Sequence, residues 1–391
     1  MLIHRYRKIL RHRVVLAFLL FNSLAGILFV GGALLVSFMR SFGTTPAQLG
    51  IVLGAGWAAS VLGAFLGGHL TDRISPRRAV LLVVALVAVS LLGKALSRHW
   101  IQAGVCYLLG MGAQAAHAPA GMALLKDAVG DEMGGSLGFL NAAFCAAAVP
   151  GAALTGWVVG KWGWSSLFMG KFVLYLAILP VLFLALPEIQ AEGQVQEEKV
   201  HWGDALHYPA LWWICTSVFL LTLGAYCHSY YPYYVQERFA ADVRQLAWFD
   251  SLYNAVWMLS NWPAGMLADR IGAGRIAMVG YALMGFAWLL FPFGPSLFSL
   301  YVLYVLYCLG NSMGFYATVF AQDVVPAPFR GRAVGLFNAL MYLGSAIGDG
   351  IGGWLWQGLG ARFSFVLAAG ANILGSLLLS IARSKRQQGE V

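Results

Sequence analysis

The sequence predicts an all-α integral membrane protein of twelve transmembrane helices, built as two pseudo-symmetric six-helix bundles. Three observations predict it. The chain has 391 residues, of which 60% are hydrophobic and only 10% charged, whereas soluble domains carry about 25% charged residues. Its apolar residues fall into twelve long runs separated by short polar breaks. The chain also repeats itself, at an offset of 197 residues.

The runs cover residues 14–38, 48–70, 79–97, 101–124, 135–160, 165–187, 210–235, 243–267, 275–293, 297–322, 333–357 and 361–382. Their lengths suit a hydrocarbon core about 30 Å thick, which takes roughly 20 helical residues to cross. Strands of a membrane barrel are short and alternate apolar with polar. Here a stretch such as Ala79 to Ser90 is apolar on every side until its end.

The net charge of +9 is a matter of topology. With a cytoplasmic N-terminus, the inner segments carry 17 of the 25 Lys and Arg residues: Arg5, Arg7, Lys8, Arg11, Arg13, Arg73, Arg77, Arg78, Lys126, Lys199, Arg270, Arg275, Arg330, Arg332, Arg383, Lys385 and Arg386. The outer segments carry six, and Lys94 and Lys171 lie within spans. An excess of Lys and Arg on the cytoplasmic side sets orientation. The expectation is therefore a multi-pass protein of a cell inner membrane, with both termini cytoplasmic, the lipid bilayer as its surroundings and no nucleic-acid partner. The basic start followed by an apolar run is read as the first span, because the run is too long for a signal peptide. Cys106, Cys145, Cys215, Cys227 and Cys308 all fall within spans, where cysteine acts as a small apolar residue. No metal-ligand spacing occurs, and no metal or cofactor is expected.

The repeat is carried by two regions. Gly68-His-Leu-Thr-Asp72-Arg73-Ile74 matches Gly265-Met-Leu-Ala-Asp269-Arg270-Ile271, and Arg78 matches Arg275. At the same offset Gly138, Asn141, Gly151, Gly156 and Trp157 fall on Gly335, Asn338, Gly348, Gly353 and Trp354. Six spans separate equivalent positions, so the halves run parallel. The expected organisation is an N-terminal bundle at 1–187, a polar cytoplasmic linker at 188–209 and a C-terminal bundle at 210–391. Parallel repeats of this kind are a transporter design, with a small-molecule substrate held near mid-membrane and the halves rocking around it.

Gly68-x-x-x-Asp72-Arg73-x-Ser75-x-Arg77-Arg78 and Gly265-x-x-x-Asp269-Arg270-x-Gly272-x-x-Arg275 resemble the doubled motif of the major facilitator superfamily. In the first copy Ser75 replaces a glycine. The resemblance covers nearly the whole chain and implies the twelve-helix fold of that family. It also implies a gating role for the motif. The glycine lets a neighbouring helix approach, the aspartates meet a helix N-terminus or a basic side chain, and Arg73, Arg77 and Arg78 bind carboxylates across the cytoplasmic gap. The competing role for these arginines is topology and anionic lipid. Two patterns of the family's proton-driven exporters are degraded: Cys106 stands where an arginine is expected ahead of Gly110-Met111-Gly112, and Val149 precedes Pro150 where a glycine is expected.

The resemblance places helices 1, 4, 7 and 10 around the cavity, so polar residues there are the substrate candidates: Asn22, Gln114, His117, Tyr226, His228, Tyr230, Asn311 and Tyr316. Pro232 is expected to bend helix 7. Ionisable groups inside a bilayer are costly and point to function. The proton-coupling candidates are Asp250 in helix 8 and Asp349 in helix 11, with His117 and His228. Leu53 and Ala152 hold the repeat-equivalent positions of the two aspartates, so these charges belong to one half only. Fixed hydrogen bonds or pairs with Lys94 and Lys171 are the alternative role.

No phosphate-binding Gly-x-x-x-x-Gly-Lys-[Ser/Thr] loop is present, and no nucleophile–base motif, so an enzyme is not expected. The driving force is expected to be an ion gradient, protons ahead of sodium. The leading expectation is proton-coupled efflux of a small amphiphilic or aromatic compound by a monomer. The alternative is proton-coupled uptake of a small metabolite, a sugar or an organic acid. The inner-helix spans hold no arginine, which counts against an organic anion.

Overall fold

The computed structural model of the chain describes residues 12–130, 133–188, 208–326 and 329–387, and not the side chain of Asp72. Arg5, Arg7, Lys8, Arg11, Lys199 and linker residues 189–207 lie outside the described residues. Among the described residues there is no strand. The described residues form twelve helices in succession: α1 (Arg13–Gly26 and Gly32–Arg40), α2 (Pro46–Arg73), α3 (Pro76–Leu96) and α4 (Trp100–Val129). The helical run Met133–Ala185 is interrupted at Gly163 and so holds α5 (133–162) and α6 (164–185). Next come α7 (Pro209–Gly224 and Tyr226–Phe239), α8 (Val243–Ile271), α9 (Ala273–Leu290) and α10 (Leu297–Gly314 and Ala317–Asp323). Arg330–Gln387 is interrupted at Gly360 and holds α11 (330–359) and α12 (361–387). Among the described residues seven helical runs are long and apolar enough to cross a membrane, two of them 51 and 57 residues long. At about 1.5 Å per residue each of those two exceeds twice the hydrocarbon thickness, so each supplies two spans.

The offset of 197 residues is visible in the backbone. Gly163 has φ 79° and ψ 172°, and its counterpart Gly360 has φ 80° and ψ 164°. Only glycine takes this conformation cheaply, so both α5–α6 and α11–α12 turn at a single residue. The break in α1 includes Leu28 at φ 56°, and the repeat carries Leu28 onto Ala225, the residue dividing α7. Each break lies inside one uninterrupted apolar run, 14–38 or 210–235. Both helices are broken beside a close crossing. A Cβ on Gly151 of α5 would overlap the carbonyl oxygen of Gly26, and one on Gly348 of α11 would lie 2.5 Å from that of Leu223. These are equivalent pairs. Pro232 does not mark the break. It lies within Tyr226–Phe239, seven residues past Ala225. Helix 10 is likewise interrupted at Phe315–Tyr316, the counterpart of Ala118–Pro119 in an unbroken α4.

Two motif positions differ between the copies: Arg77 falls on Gly274, and Ser75 on Gly272. Ser75 keeps φ −60° and its hydroxyl caps α3 by accepting from the Arg78 N–H. Gly272 has φ 97° and no side-chain cap. The serine thus substitutes a cap for a glycine turn.

Contacts divide the chain into two units, which split α2 and α8: unit 1 holds residues 12–44, 58–188 and 243–254, and unit 2 holds 45–57, 208–242 and 255–387. In unit 1, α1 packs on α5, and α3 packs on α4. Ser165 at the start of α6 donates to the Ala95 carbonyl of α3 at 2.6 Å. In unit 2, Ser217 of α7 donates to the Gly375 carbonyl at 2.6 Å and Ser376 of α12 to that of Met278 at 2.9 Å. Hydroxyls bonding carbonyls across helices are a common form of adhesion in lipid, where burial of apolar surface supplies little.

Candidate functional site

In unit 1, Asp250 of α8 is buried. Its carboxylate oxygens accept from the backbone N–H groups of Ala33 at 3.2 Å and Leu34 at 3.1 Å. These amides open the second segment of α1, whose N-cap, Gly31, has no capping side chain of its own. The first amides of a helix lack intrahelical partners and carry the positive end of its dipole. Asp250 supplies from 217 residues away the acceptor that a local Ser or Asp usually provides. Gly31 is necessary for this, since a Cβ there would lie 2.5 Å from the carboxyl carbon. Ser251 anchors the same stretch of α8 by donating to the Val149 carbonyl at 2.8 Å.

Asp349 of α11 is buried in unit 2 and accepts from the Trp57 indole N–H at 2.8 Å. The Asp349 carbonyl accepts from the Tyr230 hydroxyl at 2.9 Å, which also bonds the Pro46 carbonyl at 3.3 Å. A Cβ on Gly50 would lie 2.6 Å from that hydroxyl, so residues 46–57, α7 and α11 meet at one point. Among the described residues of unit 1, Asp250 forms no ion pair with Lys94 or Lys171. The Lys94 ammonium lies over the rings of Tyr107 and Phe168 at 5.5 and 5.8 Å.

Phe18, Asn22, His117, Gly121, Met122 and Asn141 line a cavity of about 260 Å³ among α1, α4 and α5 of unit 1. The His117 ring stacks on Phe21 (5.3 Å, 24°) and meets Phe18 edge-on (6.0 Å, 88°). Its Nε2 is buried without a hydrogen-bond partner. Asn22 donates to the Phe18 carbonyl at 2.8 Å. Gln114 shares a face with His117 in sequence but is exposed and does not line the cavity.

The helix 7 candidates are packed. His228 Nε2 is 3.0 Å from the Tyr304 hydroxyl, and its ring stacks on Tyr304 and Tyr307. Tyr226 donates to the Ser364 carbonyl at 2.9 Å, and Tyr230 stacks on Trp356. Tyr226 and Tyr230 are buried with Tyr231, Trp288 and Phe291 in the aromatic core of unit 2, and His228 is half-buried beside them. Asn311 is half-buried in α10. Tyr316 sits at the α10 break and donates to the Asn261 carbonyl at 3.0 Å.

The motif residues separate by copy. A Cβ on Gly68 would meet nothing within 4 Å, so the close approach expected there is absent. It occurs instead at Gly63 and Gly67, against the α4 backbone at Gly112 and Ala116. At Gly265 a Cβ would lie 2.8 Å from the Tyr316 hydroxyl. Arg73 lines a groove of about 540 Å³ with His69, Gly63 and Gly67. Arg78 pairs with Glu188 at 2.7 Å and Arg77 with the same carboxylate at 3.9 Å. Arg77 also donates to the Phe183 carbonyl and lies 4.3 Å over the Phe183 ring. Their partner is the end of α6 within unit 1. Asp269 and Arg270 are exposed, and Arg275 lines a pocket with Arg383 and Arg386. Glu188 is about half exposed at 49%, so Glu188→Gln is expected to cost less than about 1 kcal/mol in thermal unfolding. A larger loss refutes a solvent-screened pair.

Trp57 and the two amides capped by Asp250 escaped the sequence reading. The Gly31-Gly32 pair inside an apolar run was the one visible sign of the break that creates the cap.

The family profile described as Major Facilitator Superfamily matches residues 16–231 and 215–391. The chain is 22% identical over 382 residues to a gentisate transporter of Corynebacterium glutamicum, covering 90% of this chain and 83% of that protein. It is 24% identical over 377 residues to the cis,cis-muconate transport protein of Acinetobacter baylyi, covering 90% and 89%. Its fold matches that of a D-xylose–proton symporter with a TM-score of 0.74 at 15% identity, over 94% of this chain and 96% of that one.

Proposed function

This chain belongs to the Major Facilitator Superfamily, and within that family we propose that it is a proton-coupled transporter of a small organic acid. The coarser statement stands on the family itself: the chain is a multi-pass membrane transporter of small organic compounds, not an enzyme. The finer reading rests above all on Asp250. Its carboxylate lies within the spans and holds the N-terminus of a broken helix through neutral amides. Among the described residues neither Asp250 nor Asp349 makes an ion pair. Protonation of either strands no lysine or arginine, and it weakens a bond between segments that lie far apart in sequence. A carboxyl so placed links proton occupancy to helix position.

Organic acid comes forward as the class because the two similar proteins are named for gentisate and cis,cis-muconate, both carboxylates. The absent inner-helix arginine loses weight as an objection, since His117 offers a ring nitrogen in a cavity. This favours uptake, the second of the two sequence expectations. Export of an aromatic compound keeps one supporting observation, the largely apolar cavity wall. Alternating access by the halves 1–187 and 210–391, function as a monomer, and cytoplasmic termini in an inner membrane complete the proposal. The charge distribution supports that orientation.

The test uses protein in liposomes containing a pH-sensitive dye, with gentisate, cis,cis-muconate and an aromatic cation added in turn. Acid-dependent proton flux is the expected result. Acid accumulation that survives collapse of the proton gradient refutes proton coupling. Flux with the cation and not with the acids returns the substrate to the export reading. Radiolabelled gentisate fixes direction: cells making the protein gain label on uptake, and preloaded cells lose it faster on export.

A further inference from the structure

We propose that the cavity among α1, α4 and α5 is a binding subsite for a single-ring aromatic carboxylate, with the His117 imidazole as its polar anchor. The proposal rests on the organic-acid reading above and assigns that reading to a place. The volume of about 260 Å³ falls just below the roughly 300–1,000 Å³ of sites for drug-sized ligands, which is room for a substituted ring. One wall is apolar, formed by Phe18, Met122 and leucines of α4 and α5. Methionine sulfur and a phenyl ring both pack well on an aromatic ligand.

The polar side is small and specific. His117 is held by Phe21 against one face and by Phe18 against its edge. Gly121, one turn on, leaves the ring room, for a Cβ there would lie 3.1 Å from Cε1. The ring is thus fixed while its Nε2 is buried and unbonded. Buried polar atoms are nearly always satisfied, and an exception calls for a partner supplied from elsewhere. A carboxylate oxygen suits a protonated ring nitrogen. Asn22 commits its amide N–H to the Phe18 carbonyl, which leaves its own oxygen to accept from a ring hydroxyl. No acidic side chain lines the cavity, so an organic cation finds no counter-charge there. Two asparagines and one histidine are too few polar groups for a sugar. The subsite is confined to unit 1, because the repeat replaces Phe18, Asn22 and His117 by Cys215, Phe219 and Gly314.

Equilibrium binding of radiolabelled gentisate to the full chain in lipid nanodiscs tests this, with tyramine as the cationic and D-xylose as the neutral competitor. The expected result is saturable binding that neither competitor displaces. His117→Gln weakens it by about tenfold or more, the scale of one charge-assisted hydrogen bond. Phe21→Leu, which frees the imidazole without touching the ligand, weakens it by about threefold. Both variants melt at the wild-type temperature. Gentisate binding unchanged in both variants overturns the subsite and leaves the transport reading standing. Displacement of gentisate by tyramine at equal concentration overturns the ligand class. Proton-linked transport of a cation alone, with no acid bound, overturns the transport reading and the subsite together.

Discussion

Asp250→Ala is expected to lower the stability of the protein by about 2–4 kcal/mol. The alanine deletes a helix cap, worth about 1 kcal/mol. It also leaves the N–H groups of Ala33 and Leu34 buried without acceptors, at about 1–3 kcal/mol each before relaxation. Removal of a buried charge offsets part of that loss. Asp250→Asn keeps one carboxyl-like oxygen and one bond, and loses chiefly the attraction between charge and helix dipole, about 1 kcal/mol. The order in thermal unfolding is therefore wild type, then Asn, then Ala. Transport separates the two roles further. Asp250→Asn cannot exchange a proton, so gradient-driven accumulation falls by about tenfold or more. Exchange of substrate across equal concentrations, which needs no net proton movement, persists. Wild-type accumulation by Asp250→Asn would remove this residue from coupling and leave it a cap. Asp349→Asn is the parallel case, with the Trp57 indole as the donor.

Gly151→Ala is expected to be as damaging, by about 3 kcal/mol or more, and to prevent accumulation of folded protein at growth temperature. The added Cβ falls on the Gly26 carbonyl oxygen and 3.3 Å from the Ile27 Cα. Both are backbone atoms, which cannot swing aside as a side-chain end can. Gly63→Ala meets the Gly112 carbonyl in the same way. Gly68→Ala, at the motif glycine itself, adds a methyl into open space and is expected to shift stability by less than about 0.5 kcal/mol. Measured melting temperatures of the three variants check the order. Equal losses at Gly68 and Gly151 would show that α2 is crossed at Gly68 after all. The Gly151 contact also lies where α1 ends its first segment, so relief of the clash displaces the break that Asp250 caps. The two substitutions are expected to be non-additive, since they act on one segment of α1.

The amino-acid sequence by itself determined a good deal. Composition and twelve apolar runs demand a membrane-spanning helical bundle, because lipid offers backbone groups no partner outside a helix. The offset that pairs Gly68 with Gly265 also pairs the one-residue turns at Gly163 and Gly360, because a repeated residue that must adopt positive φ repeats the turn. Asp250, Asp349 and His117 stood out because ionisable groups are rare in such runs. Their surroundings were not legible. Continuous hydrophobicity conceals a helix break, since the apolar run continues through Leu28 and Ala225 whether or not the backbone does. Pro232 does not mark the break in helix 7, which falls at Ala225 beside the crossing at Leu223. Tyr226, His228 and Tyr230 read as cavity residues from their helix, while Tyr304 and Tyr307 of α10 stack on His228 and Trp356 of α11 stacks on Tyr230. Arg77 and Arg78 carry their charge in the sequence, but only the fold brings Glu188 to them. What the sequence set is each residue's cost in lipid, a local property. What tertiary structure decided is which partner offsets that cost, and the partners of Asp250 lie 216 and 217 residues away, beyond the reach of any local pattern.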